Sequence, residues 1–246
     1  MKKIITKKQY FELNKTFAKK MQKDKKLINK ASKFFVEADK YRWLYQFSWM
    51  GEPIINLTTD MFAIQEIIYK TKPKNIIEIG VAWGGSLLFY AFLQKFFSNG
   101  NVIGVDIFIP RDLRQRINNH NKKLNNISLI KGSSLDSNVI NKVKKMIKDK
   151  NNLVILDSHH THEHVIKELN IYSDLVGRGN YLICCDTIVN RIPEQKHRKR
   201  DWGPKNNPET ALKEFLNKNK RFKIDKDIDK KILLSNHPSG YIYAIK

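Results

Sequence analysis

The residues most able to do chemistry fall in four short stretches. Glu78-Ile79-Gly80-Val81-Ala82-Trp83-Gly84-Gly85-Ser86 combines a carboxylate, three glycines and a serine. Such a run between a strand and a helix leaves backbone N–H groups free for a ligand's polar atoms. Gly80 permits the tight turn, and Gly84 and Gly85 permit close approach of a ligand and free the start of the helix. Asp106 stands 26 residues beyond Gly80 at the end of the next apolar run, where an acidic side chain can accept both hydroxyls of a ribose. Ser133 and Ser134 close a third apolar run and are placed to border a base. Asp157 and Asp186 end two more, and after Asp157 come His159, His160, His162 and His164, four imidazoles within six residues. Two carboxylates at neighbouring strand ends can share a hard divalent ion, and a neutral imidazole beside them is a base near pH 7.

The glycine spacing is G-x-x-x-G-G and not the dinucleotide fingerprint G-x-G-x-x-G. With Glu78 two residues before the first glycine, it is closer to the pattern that holds S-adenosylmethionine, whose amino-acid part meets the carboxylate side and the backbone. Plainer readings stand beside this one: a strand-to-helix turn at Gly80, simple hydrogen-bond acceptors at Asp157 and Asp186, and histidines that cap or solvate the following helix. His160-x-x-Glu163-His164 spells the inverted zinc-protease motif, which needs both histidines on one helix turn. Here His160 falls in the loop before the helix, and zinc is set aside.

Five strand-sized apolar runs must position these residues: 75–80, 102–107, 127–130, 153–157 and 181–186. Helical patterns separate them at 86–97, 111–124, 138–148 and 162–176. This alternation predicts an α/β chain with a parallel, doubly wound sheet. A helix is expected from Thr58-Thr59-Asp60 to before Pro73, and another over 210–219. Phe222–Asp225, Ile232–Leu234 and Tyr241–Ile245 are strand candidates for an antiparallel end to the sheet. Residues 1–60 read as an amino-terminal helical and aromatic cap on a domain spanning 61–246. The aromatics from Trp43 to Trp49 either stack on a sugar or pack on the core. Asn190–Pro208, basic and holding three of the seven prolines, reads as a mobile, solvated loop or one that closes over an anionic glycan.

Composition narrows the classes. The 246 residues carry 46 Lys and Arg against 24 Asp and Glu, a net charge of +22. Lys, Asn and Ile are abundant together, a sign of compositional drift, and the lysines are scattered over solvated faces; an acidic partner is the alternative. Nucleic-acid binding calls for aromatic interleaving or a known module, and neither is found. No run reaches the ~20 apolar residues of a membrane helix, and the lysine-rich start has no apolar signal region. The two cysteines, Cys184 and Cys185, are neighbours, which suits a reducing, cytoplasmic setting.

A wider set of residues carries a resemblance. Trp49-Met50-Gly51-Glu52-Pro53, Asp60 with Gln65-Glu66, Ile77-Glu78-Ile79-Gly80 with Gly84-Gly85-Ser86, and Gly104-Val105-Asp106-Ile107 occur in order. Gly132-Ser133-Ser134, Leu156-Asp157-Ser158 with His160 and His164-Val165, Tyr181-Leu182 with Asp186-Thr187, Trp202-Gly203-Pro204, Phe215-Leu216 and Pro238-Ser239-Gly240-Tyr241 follow. Over roughly 40–246 the chain resembles the cephalosporin hydroxylase family, which includes rhamnosyl-type O-methyltransferases. The resemblance implies a Rossmann-like fold that binds S-adenosylmethionine at Glu78, Gly80, Gly84, Gly85, Ser86, Asp106, Ser133, Ser134 and Asp157. It also implies a magnesium site built from the strand-four aspartate and a Glu-Asp pair after strand five. Asp157 and Asp186 match, and Cys185 holds the glutamate position, where a thiol is a poor partner for a hard ion. The expected activity is methyl transfer to a hydroxyl of a sugar or polysaccharide, with His160 or His159 taking the proton. A small secondary metabolite as acceptor, or a ligand-binding fold that has lost its metal, are the alternatives. Nucleic-acid methylation has only the charge in its favour, since the N/D-P-P-[YF] motif is absent. A homo-oligomer is left open.

Overall fold

The computed structural model describes residues 5–195 and 197–246. Helices α1 (Lys7–Met21) and α2 (Lys25–Asp39) come first, then a 3-10 turn at Trp43–Tyr45 and a hairpin of β1 (Phe47–Trp49) and β2 (Glu52–Ile54). Helix α3 (Thr58–Thr71) leads into the alternation β3 (Asn75–Ile79), α4 (Gly85–Phe97), β4 (Asn101–Asp106), α5 (Arg111–Leu124), β5 (Ile127–Lys131), α6 (Ser137–Met146), β6 (Asn152–Leu156), α7 (His162–Tyr172) and β7 (Tyr181–Cys184). The chain ends with α8 (Pro208–Lys218), β8 (Phe222–Ile224), α9 (Lys226–Lys231) and β9 (Tyr241–Ala244).

One seven-stranded sheet runs β5-β4-β3-β6-β7-β9-β8. The first five strands are parallel, and β9 is antiparallel to both of its neighbours. The alternation therefore forms the doubly wound, Rossmann-like sheet, with β9 as its antiparallel C-terminal strand. The central strands are buried on both faces, which is why they read as unbroken runs of Ile, Val and Leu. Ile76, Leu153 and Ile183 face α3 and α4, packing with Ile64, Ile68, Leu87 and Leu88. Ile77, Val154 and Leu182 face the other way, with Val143, Leu169 and Phe215. The strand order reverses between β3 and β6, and such a switch point opens a crevice at the carboxyl ends of the strands.

The segment before α3 is less separate than its composition suggests. Trp49 packs edge-on against Phe89 and Phe92 of α4, with ring centroids 5.0 and 5.7 Å away. A side chain at Gly85 would lie 2.3 Å from the Pro53 carbonyl oxygen, so the start of α4 is small in order to seat the hairpin. Buried Glu52 pairs with Arg116 of α5. Ile232–Leu234 is not a strand. Asp225 accepts hydrogen bonds from the backbone of Asp227 and Ile228, which starts α9 and diverts the chain. The loop after β7 is pinned to the rest of the molecule: Arg191 pairs with Glu209, and Arg198 and His197 pair with the buried Asp39 of α2. A basic, proline-containing stretch reads as solvated until its acid partner, distant in sequence, is known. No helix among the described residues is long and apolar enough to cross a membrane.

Asp60, fully buried in the first turn of α3, organises the turn before β9. It accepts from Ser235 Oγ (2.6 Å), Tyr241 Oη (2.6 Å) and the Asn236 backbone N–H (2.7 Å). Removing the acceptor strands three buried donors, so Asp60→Ala should lower unfolding stability by about 3 kcal/mol or more. Urea melts of the two proteins measure this, and an unchanged midpoint would show that the network contributes nothing.

Candidate functional site

The predicted residues converge on the carboxyl edge of the sheet. Gly80 leaves β3 with φ +94°, and a Cβ there would lie 2.1 Å from the Asp157 carbonyl oxygen. Only glycine fits, because the ends of β3 and β6 nearly touch and the chain must turn sharply into the loop. Ala82 follows at φ +46° and Gly84 at φ +86°. Asp106 holds this loop in place: its Oδ2 accepts the backbone N–H groups of Val81 (2.8 Å) and Ala82 (3.1 Å), and its Oδ1 accepts that of Phe108 (2.8 Å). The carboxylate keeps lone pairs for a ribose. At Gly84 and Gly85 the space left by the missing side chain is filled by protein: Ile117 and Leu113 in one case, the Glu52 and Pro53 carbonyls in the other.

Two cavities meet at Gly80, Ala82, Asp157 and Ser158. The first, about 490 Å³, lies over β4 and β5 and is lined by Asp106, Ile107, Gly132, Ser133, Ser134 and His159. A carboxylate at one end and the exposed apolar Ile107 at the rim suit a nucleoside. The second, about 250 Å³, lies over β6 and β7; its wall includes Ser86, Asp157, His160, Asp186, Tyr45 and Trp202. His159 and His160 therefore serve different cavities, although they are adjacent in sequence.

Glu78 is buried beside this junction. Burial pushes its carboxyl well above the usual range, a hydrogen bond with Ser86 opposes that, and the charges of Asp157 and Asp106 add to the rise. Its Oε2 has no partner among the described residues. A buried, unpaired carboxyl oxygen beneath the glycine turn fits the ammonium of an amino-acid ligand.

Asp157, His160 and Asp186 form a cluster whose donor atoms all lie within 4.8 Å of one another. His160 Nε2 is 3.5 Å from Asp186 Oδ2 and 3.9 Å from Asp157 Oδ1. Burial raises the Asp157 carboxyl well above its usual range, and the neighbouring charge of Asp186 raises it further. Burial lowers His160, which favours the neutral imidazole, while the charges of Asp186 and Glu168 oppose that. Two carboxylates match the donor chemistry of a hard divalent ion, and an imidazole stands beside them. Cys185 is not brought to this cluster. Its side chain packs into the core on the α3–α4 face, and burial pushes the thiol pKa up, away from the thiolate a metal needs.

Sequence reasoning missed two supports. Buried Glu168 of α7 accepts from Ser134 Oγ (2.5 Å) and Ser158 Oγ (2.6 Å) and meets His164 Nε2 (3.0 Å), tying the ends of β5 and β6 together. Ser134 thus turns its hydroxyl to this network at the cavity wall. Buried His237 accepts the Asp186 backbone N–H at its Nδ1 (3.1 Å), steadying a residue held at φ +53°. His162 bonds Thr210 and Glu214 of α8, and Glu163 pairs with exposed Lys167; both serve the helices.

The rhamnosyl O-methyltransferase/CmcI family model matches residues 41–245. The chain belongs to this family. The rhamnosyl O-methyltransferase of Mycobacterium tuberculosis is 23% identical over 220 residues, 84% of each chain. Among solved structures, ligand-free CmcI superposes with a TM-score of 0.57 at 18% identity, covering 81% of this chain and 76% of that one. CmcI with magnesium and S-adenosylmethionine gives a TM-score of 0.54 at the same identity, covering 81% and 77%. As a member of the rhamnosyl O-methyltransferase/CmcI family, the chain is an S-adenosylmethionine-dependent O-methyltransferase. The fold of these structures is the sheet described above.

Manganese binding, followed by calorimetry or electron paramagnetic resonance, checks the donor set. Asp186→Ala should weaken it at least about tenfold, whereas Cys185→Ala should leave it within about twofold. The reverse order would return the thiol to the metal site.

Proposed function

We propose that the protein methylates a hydroxyl of a sugar, free or within a polysaccharide, assisted by a divalent cation, with magnesium as the physiological ion. The observation that carries this reading is the junction at Gly80 and Asp157, where a cavity lined by Asp106, Ile107 and Ser133 meets one holding a carboxylate pair and an imidazole. The relatives named for rhamnosyl O-methylation support the sugar.

In this reading Asp106 accepts the ribose hydroxyls, Ile107 and Ser133 border the base, and Glu78 with the Gly80 loop and Ser86 takes the amino-acid part. Gly84 and Gly85 shape that loop. An ammonium beside Glu78 supplies the partner its Oε2 lacks and favours the ionised carboxylate. These residues would hold the cofactor so that its methyl is available to an acceptor in the second cavity. Asp157 and Asp186 would hold the cation, which when bound would polarise an acceptor hydroxyl and lower its pKa. His160 Nε2 takes the proton as the hydroxyl oxygen attacks the methyl carbon in line with the departing sulfur. Displacement of this kind depends on alignment, so the rigid strand ends that hold both reactants provide much of the rate.

Transfer of labelled methyl from S-adenosylmethionine to a panel of sugars tests the reading. Activity should fall at least about tenfold with EDTA. His160→Gln should lower kcat about 100-fold while leaving S-adenosylhomocysteine affinity unchanged. Protonating His160 removes the base, so kcat should fall as pH drops, with the midpoint below the ordinary histidine value of about 6.5 because burial lowers this group. Transfer indifferent to both EDTA and His160→Gln would overturn the proposal. Loss of manganese affinity in His160→Gln would make His160 a ligand and not the base.

A further inference from the structure

Beside the acceptor-side cavity lies another whose charged lining, among the described residues, is Arg198, Lys199 and Arg200 against a single acid, Glu194. Gln195, Arg198, Arg200 and Trp202 line both, so the two share a wall. Two buried N–H donors in this corner make no hydrogen bond among the described residues: Nε of Arg198 and Nε1 of Trp202. Arg198 faces Asp39, whose Oδ1 likewise lacks one, so Trp202 Nε1 is the donor left for an acceptor from a ligand.

The corner is built and not a loose fringe of charge. Arg198 is held from behind by the buried carboxylate of Asp39, and its Nη1 donates to the Tyr45 hydroxyl (2.6 Å). Asp39 thus matches the charge of Arg198. Arg200 lies over the Trp202 ring, 5.6 Å from its centroid, and among the described residues no carboxylate pairs with it. Trp202 joins this corner to the reacting end, because its ring packs edge-on against His160 at 5.0 Å. Along one wall the order is therefore carboxylate pair, imidazole, indole, guanidinium. A negative group on the acceptor is drawn to Arg200, and the Trp202 ring between Arg200 and His160 sets how far from that group the reacting hydroxyl lies.

We propose that Arg200, with the free N–H of Trp202, binds an anionic group of the acceptor, so that the methylated molecule is an acidic sugar carrying a carboxylate or a phosphate. Guanidinium recognises both groups by paired, charge-assisted hydrogen bonds. The inference rests on the sugar O-methylation reading above and narrows its substrate class.

Calorimetry on the protein saturated with S-adenosylhomocysteine tests it, with methyl glucuronide, glucose 1-phosphate and neutral methyl glucoside as probes. At least one anionic probe should bind about tenfold tighter than the neutral glucoside, and the better of the two tells carboxylate from phosphate. Arg200→Ala should abolish the preference and Arg200→Lys should retain part of it, both with wild-type affinity for S-adenosylhomocysteine. Equal binding of neutral and anionic probes, no binding of either anion, or a preference that survives Arg200→Ala would overturn the inference while S-adenosylhomocysteine still binds. Failure of the unaltered protein to bind S-adenosylhomocysteine would instead overturn the methyl-transfer reading, and this inference with it.

Discussion

The close approach of Gly80 to the Asp157 carbonyl governs the arrangement of the whole site. The two strand ends meet at the point where the sheet reverses its order, and no side chain can stand between them. The left-handed turn that follows carries the loop away from the sheet, and Asp106 ties it down from the neighbouring strand. The crevice is open because this loop is held aside. It is divided in two because Asp157 and Ser158 sit at its middle. Each later feature, from the carboxylate pair to the indole wall, takes its position from that division.

Electrostatics runs against the overall composition. A chain with a net charge of +22 collects Glu78, Asp157, Glu168 and Asp186 behind and around one crevice. Burial and neighbouring charges make ionising Glu78 and Asp157 costly, and the repulsion persists until cations arrive. An ammonium at Glu78 and a metal ion at Asp157 and Asp186 would each relieve it. Ligand binding on this view completes a charge balance that the folded chain leaves open. The scattered surface lysines do not enter that balance.

Much of this was legible in the sequence because doubly wound sheets put ligand-binding residues at strand ends, and the strands declare themselves as short runs of β-branched residues. Gly80, Asp106, Asp157 and Asp186 stand at or just beyond strand ends, as those runs imply. What escaped was tertiary. Glu168 lies within an amphipathic helix, where a glutamate reads as solvated, and only the fold turns it toward Ser134 and Ser158. His237 stands alone in a turn, with nothing local to tie it to Asp186. The small residues at 84 and 85 were visible, but the side chains and carbonyls that fill their space come from elements distant in the chain. Cys185 was placed correctly beside Asp186, yet side chains of adjacent residues near a strand end point to opposite sides, and its own points into the core.

The brace between Asp39 and Arg198 lies partly outside the portion the family shares, because the matched segment begins at residue 41. The loop at Arg198 and the cluster of Asp157, His160 and Asp186 are thus anchored by different stretches of chain. A change at Asp39 loosens the first without touching the second, so the two can vary independently.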